Sequence, residues 1–395
     1  MMENSQAGFR SALMPVLFLG LIFLLNFLAR IMLAPLLPGV EKDIVLSHGQ
    51  AGYLFFLITA GYFVSILGSG FFSSRFTHRW TIITSAASAG AVLLWVSVSR
   101  ELWCIRAGMF LVGISTGLYF PSGLSAITQL VDRKHWGKAL AIHELGPNAA
   151  FVGAPLLAEF LSRWLSWQSI LAVVGAASLI LAGGFALFGR GGEFRGQAPT
   201  FSSFSSLAKE PGFWVVMGLF ALGLSASMGI YSMLPLYLVA GCSMEGTFAN
   251  TLVGLSRLPG LGIAFLAGMC SDRMGAGRTL FVVFLLMGGS TILLGALPPS
   301  LVHNVVLFQP TLAACFFPPA LAALSAIGRP ETRNVAASFV IPPAWLFGGG
   351  AVPVLIGLAA DAGSFAMGIV PVGVLILGGA FLCLALTRVG LKARS

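Results

Sequence analysis

The sequence predicts an all-α integral membrane protein with twelve transmembrane helices in two halves of six. Three observations support this fold class: 57% of the 395 residues are hydrophobic, only 9% are charged, and apolar runs of membrane-spanning length recur along the chain. Soluble domains carry about 25% charged residues, and a helix needs about 20 apolar residues to cross a bilayer. The composition therefore excludes a soluble enzyme and a soluble nucleic-acid-binding protein, despite the net charge of +9.

The spans are separated by polar, proline or glycine residues. The first follows a short head with one base, Arg10, and lacks a small-residue cleavage site, so we interpret it as an uncleaved span and not a signal peptide. The predicted spans, in chain order, are 14–37, 49–73, 80–98, 102–126, 137–160, 167–188, 211–240, 246–270, 279–298, 303–327, 333–360 and 364–387.

The basic residues are distributed unequally between the two sides of the membrane. Of the 22 lysines and arginines, 16 fall in loops on one side, three (Lys42, Arg100, Arg163) on the other, and three inside spans. Cytoplasmic loops carry the excess of bases. We therefore expect a multi-pass protein of the cell (inner) membrane with both termini in the cytoplasm, and an even number of spans agrees with this orientation.

The longest polar stretch, residues 189–210, lies at the middle of the chain. It is predicted to be a cytoplasmic linker between an N-terminal bundle, residues 1–188, and a C-terminal bundle, residues 211–395. A membrane chain built from two such repeats is expected to bind its substrate near the midplane between them and to work by alternating access.

The two halves repeat each other at an offset of about 197 residues. Gly-Phe-Phe-Ser-Ser-Arg at 70–75 corresponds to Gly-Met-Cys-Ser-Asp-Arg at 268–273, and Tyr-Phe-Pro-Ser at 119–122 corresponds to Phe-Phe-Pro-Pro at 316–319. With these motifs the chain resembles the major facilitator superfamily over essentially its whole length. The resemblance implies two pseudo-symmetric six-helix bundles around a central cavity, a transport function and no enzymatic activity.

The signature loop of that family, G-x-x-x-D-R-x-G-R-R, joins spans 2 and 3 and recurs between spans 8 and 9. The second copy here retains Gly268, Asp272, Arg273, Gly275 and Arg278. The first copy retains Gly70, Arg75 and Arg79 but has Ser74 for the acid and Thr77 for the second glycine. The resemblance implies a gating role for these residues, with the acid-based latch intact in the C-terminal half.

Arg30 and Arg257 are the candidate substrate-binding residues of greatest interest, because each lies deep in an apolar span. A charge at bilayer depth costs roughly 2.5–3.5 kcal/mol on insertion scales and normally marks a ligand or ion path. The spans hold one deep carboxylate, Glu144, so positive charge is in excess. A guanidinium binds carboxylate or phosphate groups with two parallel hydrogen bonds. The sequence therefore predicts that both arginines bind one anion.

Other polar residues in the spans are candidates for the same site. Asn26 precedes Arg30 by one helical turn and shares its face. Those that we expect to contribute hydrogen bonds to the substrate are Asn26, Asn148, Tyr119 and Tyr231, with Gln309 as a further candidate. An interfacial or a packing role is the alternative for the two tyrosines and for Gln309.

His143 and Glu144 are the candidates for proton coupling. A desolvated carboxylate titrates closer to neutral pH, and histidine titrates near physiological pH. The alternative is that adjacent helical residues point about 100° apart, so that only one faces the substrate path. His143-Glu144 begins like the zinc motif H-E-x-x-H but lacks the second histidine, and the five dispersed cysteines show no metal-ligand spacing.

These observations favour a secondary active transporter that moves a small organic anion, a carboxylate or an organophosphate, with protons as the coupling ion. The expected partners are the anion, the proton and the lipid bilayer; the protein is expected to be a monomer without metal, cofactor or nucleic acid. The alternative is a proton-coupled exporter of drug-like or amphipathic compounds, favoured by 32 phenylalanines. The arginines and an incomplete exporter motif, with only Gly146, Pro147 and Gly153, oppose that alternative.

Overall fold

The computed structural model of the chain is built from helices. It describes residues 9–196, 205, 207–326 and 333–392, with the backbone alone at 261, 333–335 and 385–392. Across the described residues there is no β-sheet, and eleven helices are long and apolar enough to cross a membrane. The helix Trp136–Ser162, of 27 residues, lies where the fifth span is predicted. The all-α, twelve-span fold class is thereby confirmed.

The helices before the central polar stretch are α1 (Phe9–Ile31), α2 (Leu33–Ile44), α3 (His48–Arg75), α4 (His78–Val98), α5 (Leu102–Gly117), α6 (Tyr119–Leu130), α7 (Trp136–Ser162) and α8 (Trp167–Phe188). Those after it are α9 (Pro211–Leu224), α10 (Ile230–Leu236), α11 (Gly246–Leu255), α12 (Leu258–Met274), α13 (Ala276–Ala296), α14 (Pro299–Ala314), α15 (Phe317–Ser325), α16 (Arg333–Trp345), α17 (Val352–Asp361) and α18 (Ala366–Lys392). Three π-helical segments interrupt the second group: π1 (Ser225–Gly229), π2 (Tyr237–Gly241) and π3 (Leu346–Ala351).

Four predicted spans break within their length instead of forming one continuous helix. The breaks separate α1 from α2, α5 from α6, α11 from α12, and α14 from α15. The helix after each break has a proline among its first three residues: Pro35, Pro121, Pro259 and Pro318. Proline has no N–H to donate to the preceding turn and crowds its carbonyl. The local sequence therefore explains where the spans break, and two of the breaks coincide with the repeated Tyr-Phe-Pro and Phe-Phe-Pro motifs.

Contacts divide the described residues into two compact units. Unit 1 comprises those within 1–33 and 60–199, and unit 2 those within 34–59 and 200–395. In unit 1, α1 packs along α7 and α4 along α8; in unit 2, α13 packs along α18. The division at a 189–210 linker stays a prediction, and residues 197–204 and 206 of that linker lie outside the described part of the chain.

Within unit 2, the last residue of α17 caps the first turn of α3. The Asp361 carboxylate accepts hydrogen bonds from Ser47 Oγ (2.7 Å), the His48 N–H (2.8 Å) and the Gly49 N–H (2.9 Å). The first N–H groups of a helix have no partner in their own helix, and its N-terminus favours negative charge. Asp361 therefore adds a cap from another helix to the local one, in which the Ser47 Oγ accepts from the Gln50 N–H and the Gln50 Oε1 accepts from the Ser47 N–H, each at 3.3 Å.

Candidate functional site

Arg30 lies next to the end of α1, immediately before the break in the first span, and only 5% of it is exposed. Its guanidinium carbon is 4.5 Å from the ring centroid of Phe27 and 4.3 Å from that of Tyr62. Phe27 precedes it by about one turn on α1, whereas Tyr62 comes from α3. A cation over an aromatic ring gains about 0.5–2 kcal/mol, most when desolvated. Two rings therefore hold this charge in place inside unit 1.

Arg257 lies in the break between α11 and α12, and 8% of it is exposed. Its guanidinium carbon is 4.9 Å from the ring centroid of Tyr231 on α10, and Nη2 donates to the carbonyl of Ser227 at 2.8 Å. Because α12 begins at the next residue, the positive end of its backbone dipole falls beside this arginine. The guanidinium and the helix end both favour an anion here.

Each of the two arginines lies over the ring of a tyrosine from a neighbouring span, but the chain order of arginine and tyrosine differs between the two units. In unit 1 the arginine lies on the first span and its tyrosine, Tyr62, on the second; in unit 2 the tyrosine, Tyr231, lies on the seventh span and the arginine on the eighth. The sequence repeat at an offset of 197 residues therefore does not relate the two arginines. The sequence did not indicate Tyr62, whereas the i, i+3 spacing of Phe27 and Arg30 was a signal that could have been used.

The π1 segment provides backbone acceptors around Arg257. Three consecutive carbonyls each accept a side-chain hydrogen bond: Ala226 from Gln309 Nε2 (3.0 Å), Ser227 from Arg257, and Met228 from Ser232 Oγ (2.8 Å). Gln309 Nε2 also lies 3.4 Å from Thr291 Oγ1. π-helical turns are rare and often lie at functional sites. The Gln309 amide donates to the protein at these distances, and its contact with substrate stays a prediction.

Tyr119 and His143 form a buried pair inside unit 1. The Tyr119 hydroxyl donates to the carbonyl of Leu19 at 2.7 Å and lies 2.9 Å from His143 Nε2. The imidazole stacks on the ring of Phe23 with centroids 4.3 Å apart. Both Tyr119 and His143 are fully buried. These contacts join α1, α6 and α7, so the geometry favours a packing role for Tyr119 and a restricted environment for His143.

Glu144 follows His143 on α7 but points into a different environment. Half of its side chain is exposed, and Oε1 is 3.8 Å from His143 Nδ1. Asn148, one turn later, is exposed, and its side chain donates to the carbonyl of Glu144 at 2.8 Å. The two adjacent side chains thus point in different directions on the helix: His143 is buried, and Glu144 is accessible.

Asn26 is buried and bonded to neighbouring helices. Its Nδ2 lies 3.2 Å from Ser85 Oγ and 3.2 Å from the carbonyl of Thr116, and Ser85 Oγ in turn donates to the carbonyl of Ser115. The residue therefore ties α1 to α4 and α5. This arrangement favours a packing role, and its contact with substrate stays a prediction.

The second signature loop joins α12 to α13 through one residue, Gly275. Its backbone, with φ +88° and ψ 148°, occupies a region that only glycine enters without strain. Asp272, Arg273 and Arg278 are exposed, and Gly268 lies within α12. The backbone conformation thus explains why the motif has glycine at position 275. The gating role of the loop stays a prediction.

The first signature loop makes a different turn. Thr77, at the position of Gly275, has a φ of −84°, and its hydroxyl accepts from the N–H of Trp80 as the N-cap of α4. A threonine N-cap needs no left-handed backbone, so the loss of glycine here carries no strain. Gly70 lies within α3, and Arg75 is its exposed last residue.

Arg79 fastens the beginning of the predicted linker to unit 1. Its guanidinium donates to the last carbonyls of α8, including that of Ala186 at 2.9 Å, where a positive charge also suits the helix dipole. The N–H of Gly192 donates to Gln129 Oε1 at 2.9 Å. Residues 189–196 are therefore held against unit 1, which their polar composition did not indicate.

Comparisons with known proteins agree with this architecture. The family model described as Major Facilitator Superfamily matches residues 19–353. The probable nitrate transporter NarT of Staphylococcus aureus (strain JH9) is 20% identical over 307 residues, which is 74% of this chain and 74% of that protein.

Among solved structures, a bacterial homologue of the human lysosomal transporter Spinster, in an inward-facing and unoccupied conformation, has a TM-score of 0.81 at 17% identity, covering 96% of this chain and 98% of that one. The nucleoside transporter NupG (D323A mutant) has a TM-score of 0.73 at 11% identity, covering 96% of this chain and 99% of that one. At these identities the structural likeness concerns the fold.

Proposed function

This chain belongs to the Major Facilitator Superfamily, and from that premise we propose that it is a secondary transporter of a small planar anion, a carboxylate or nitrate, that works by alternating access. The observation that carries the choice of anion is a pair of buried arginines, Arg30 and Arg257, each held against a tyrosine ring. Desolvated positive charge deep in an apolar protein costs several kcal/mol and is retained where it meets a ligand.

The geometry of a guanidinium favours planar oxygen anions. Its five N–H donors lie in one plane and match two oxygens of a carboxylate with parallel hydrogen bonds. Nitrate has the same flat arrangement of oxygens. We include it among the candidate substrates because relatives of this chain are described as probable nitrate transporters. An organophosphate is the larger candidate. Two buried cations oppose the alternative of an exporter for cationic drug-like compounds.

Coupling to protons is a further part of the proposal. The Tyr119 hydroxyl has one proton, and the 2.7 Å contact with the Leu19 carbonyl requires that this proton point there. His143 Nε2 must then donate to Tyr119, so Nδ1 is the atom that gains or loses a proton, and Glu144 Oε1 lies 3.8 Å from it. We propose that these two residues carry the coupling proton. From the distribution of bases we also propose cytoplasmic termini in the cell membrane.

A thermal-stability screen of the purified protein tests the choice of substrate. A ligand that binds only the folded state stabilises it by RT ln(1 + [L]/Kd), about 2.7 kcal/mol at a hundredfold excess over Kd. Nitrate, acetate, lactate and glycerol phosphate are compared with chloride and with a cationic amphipathic drug. We expect concentration-dependent stabilisation by at least one oxygen anion. Stabilisation by the cationic drug alone would overturn the proposal.

A further inference from the structure

Gln309 and Arg257 bind adjacent peptide groups of the π1 segment. Gln309 Nε2 lies 3.0 Å from the carbonyl oxygen of Ala226, and Arg257 Nη2 lies 2.8 Å from that of Ser227. Gln309 comes from α14, is 1% exposed, and places its second N–H towards Thr291. The two side chains, from two different spans, therefore hydrogen-bond to the same short stretch of backbone.

The backbone of π1 also lies close to the backbone of π3. A Cβ atom added to Gly229 would lie 2.5 Å from the carbonyl oxygen of Gly348 in π3, and one added to Gly348 would lie 2.6 Å from the nitrogen of Ser225. The two π-helical segments thus touch backbone to backbone. The contacts with Gln309 and with π3 both restrain the backbone of π1, to which the Ser227 carbonyl belongs.

We propose that Gln309 is a positioning residue for anion binding: by holding the Ala226 carbonyl it fixes π1, and the adjacent Ser227 carbonyl then sets the plane of the Arg257 guanidinium. The inference rests on the proposed function. A guanidinium in a fixed plane favours a flat oxygen anion over a spherical one, because only the flat anion gains from two parallel hydrogen bonds. Gln309 therefore contributes to selectivity without touching the anion.

The test compares the affinities of nitrate, acetate and chloride for the parent protein and for Gln309→Leu, measured by calorimetry on the purified full chain. At metal sites, loss of a residue that orients a ligating side chain typically weakens binding about 10- to 100-fold, and we take the lower end of that range for Gln309. We expect nitrate and acetate to bind about 10-fold more weakly and chloride to change by less than about 3-fold, so that the selectivity falls. A general loss of packing would weaken all three anions alike and would overturn the inference.

Two further variants keep the test decisive. Gln309→Asn keeps the buried amide but withdraws it by one methylene, and the same fall in selectivity is expected from it if Gln309→Leu does not fold. Gln129→Leu is a control at a distance, because this exposed glutamine also binds a backbone group, its Oε1 accepting from the Gly192 N–H at 2.9 Å, but lies in unit 1. Unchanged anion selectivity is expected for the control, and a fall equal to that of Gln309→Leu would contradict the inference.

A double-mutant cycle with Arg257→Lys shows whether Gln309 acts through Arg257. The ammonium group of lysine has no plane to orient. In the Arg257→Lys background, Gln309→Leu should therefore change nitrate affinity by less than about 2-fold. Such a difference between the two backgrounds is expected of residues within one network. An equal effect in both backgrounds would overturn the inference. If the parent binds neither nitrate nor any carboxylate, the proposed function fails; if it binds them and Gln309→Leu matches it, only the positioning role fails.

Discussion

Replacing Arg257 by glutamine separates its charge from its hydrogen bond. Glutamine keeps a donor for the Ser227 carbonyl, which Arg257 Nη2 reaches at 2.8 Å, and loses the cation that lies 4.9 Å from the Tyr231 ring. Losing the ring contact costs about 0.5–2 kcal/mol. Removing a charge that is only 8% exposed relieves a desolvation cost of several kcal/mol. We therefore expect the free energy of unfolding to stay level or to rise.

Anion binding responds in the opposite direction. Truncating one partner of a buried charge pair costs about 2–5 kcal/mol, which corresponds to a rise in Kd of roughly 30-fold to several thousand-fold at about 1.4 kcal/mol per factor of ten. Calorimetric titration of parent and variant with nitrate and acetate measures this directly. Arg163→Gln is the control, because it is the same substitution at an exposed position. The Arg163 side chain is 59% exposed, and its Nε lies 3.9 Å from Oε1 of Glu159 on the preceding turn.

The two measurements together can refute the reasoning. A variant that bound the anions within about 3-fold of the parent would show that the charge of Arg257 does not contribute to the site, since a lost charge pair costs more than that. A fall of more than about 3 kcal/mol in the free energy of unfolding would identify Arg257 as a structural residue. If Arg257 binds the anion, the variant combines weak anion binding with retained stability.

Three other variants test the proposed proton coupling, the cap of α3 and the turn at Gly275. A Glu144→Gln/His143→Ala double variant should exchange substrate across vesicle membranes but fail to accumulate it under an imposed pH gradient, because no group remains to carry the proton; accumulation at the parental level would exclude both residues. Asp361→Asn should lower the melting temperature, because the cap of α3 loses its charge, and capping interactions contribute about 0.5–2 kcal/mol; an unchanged melting temperature would show that the charge of Asp361 does not contribute to the cap. Gly275→Ala should cost about 1–3 kcal/mol of stability from backbone strain alone, because nothing lies within 4 Å of the added Cβ. Gly289→Ala is its control, with equal space in a helix and no positive φ, and should be neutral or slightly stabilising.

The positions of the spans were predictable because hydropathy and helix length are local properties. The predicted second span, 49–73, corresponds to α3 at His48–Arg75, and the predicted sixth coincides with α8 at Trp167–Phe188. α7 was the least apolar of the predicted spans, since it contains Lys138, Glu144 and Asn148. Breaks within spans had a local signal as well, in the prolines that follow them.

The surroundings of the arginines could be predicted only in part. Depth in an apolar run marked Arg30 and Arg257, because burial of charge is visible in the sequence itself. Tyr62 lies on a different helix, and nothing in the spacing connects it to Arg30. The π1 segment depends on its contacts with Gln309 and π3, which are tertiary, so no local pattern announces it. Similarly, only the fold shows that residues 189–196 bind back onto unit 1.

The measurement that tests the central claim most directly is counterflow of labelled nitrate and acetate into vesicles that contain the purified protein and are loaded with the same unlabelled anion. Counterflow needs no coupling ion, so it tests the proposed role of the two arginines in transport separately from proton coupling. We predict rapid uptake by the parent protein and none above empty vesicles by an Arg30→Gln/Arg257→Gln variant that folds normally. Uptake that survives both substitutions, or a parent protein that moves neither anion nor any other carboxylate, would contradict the account.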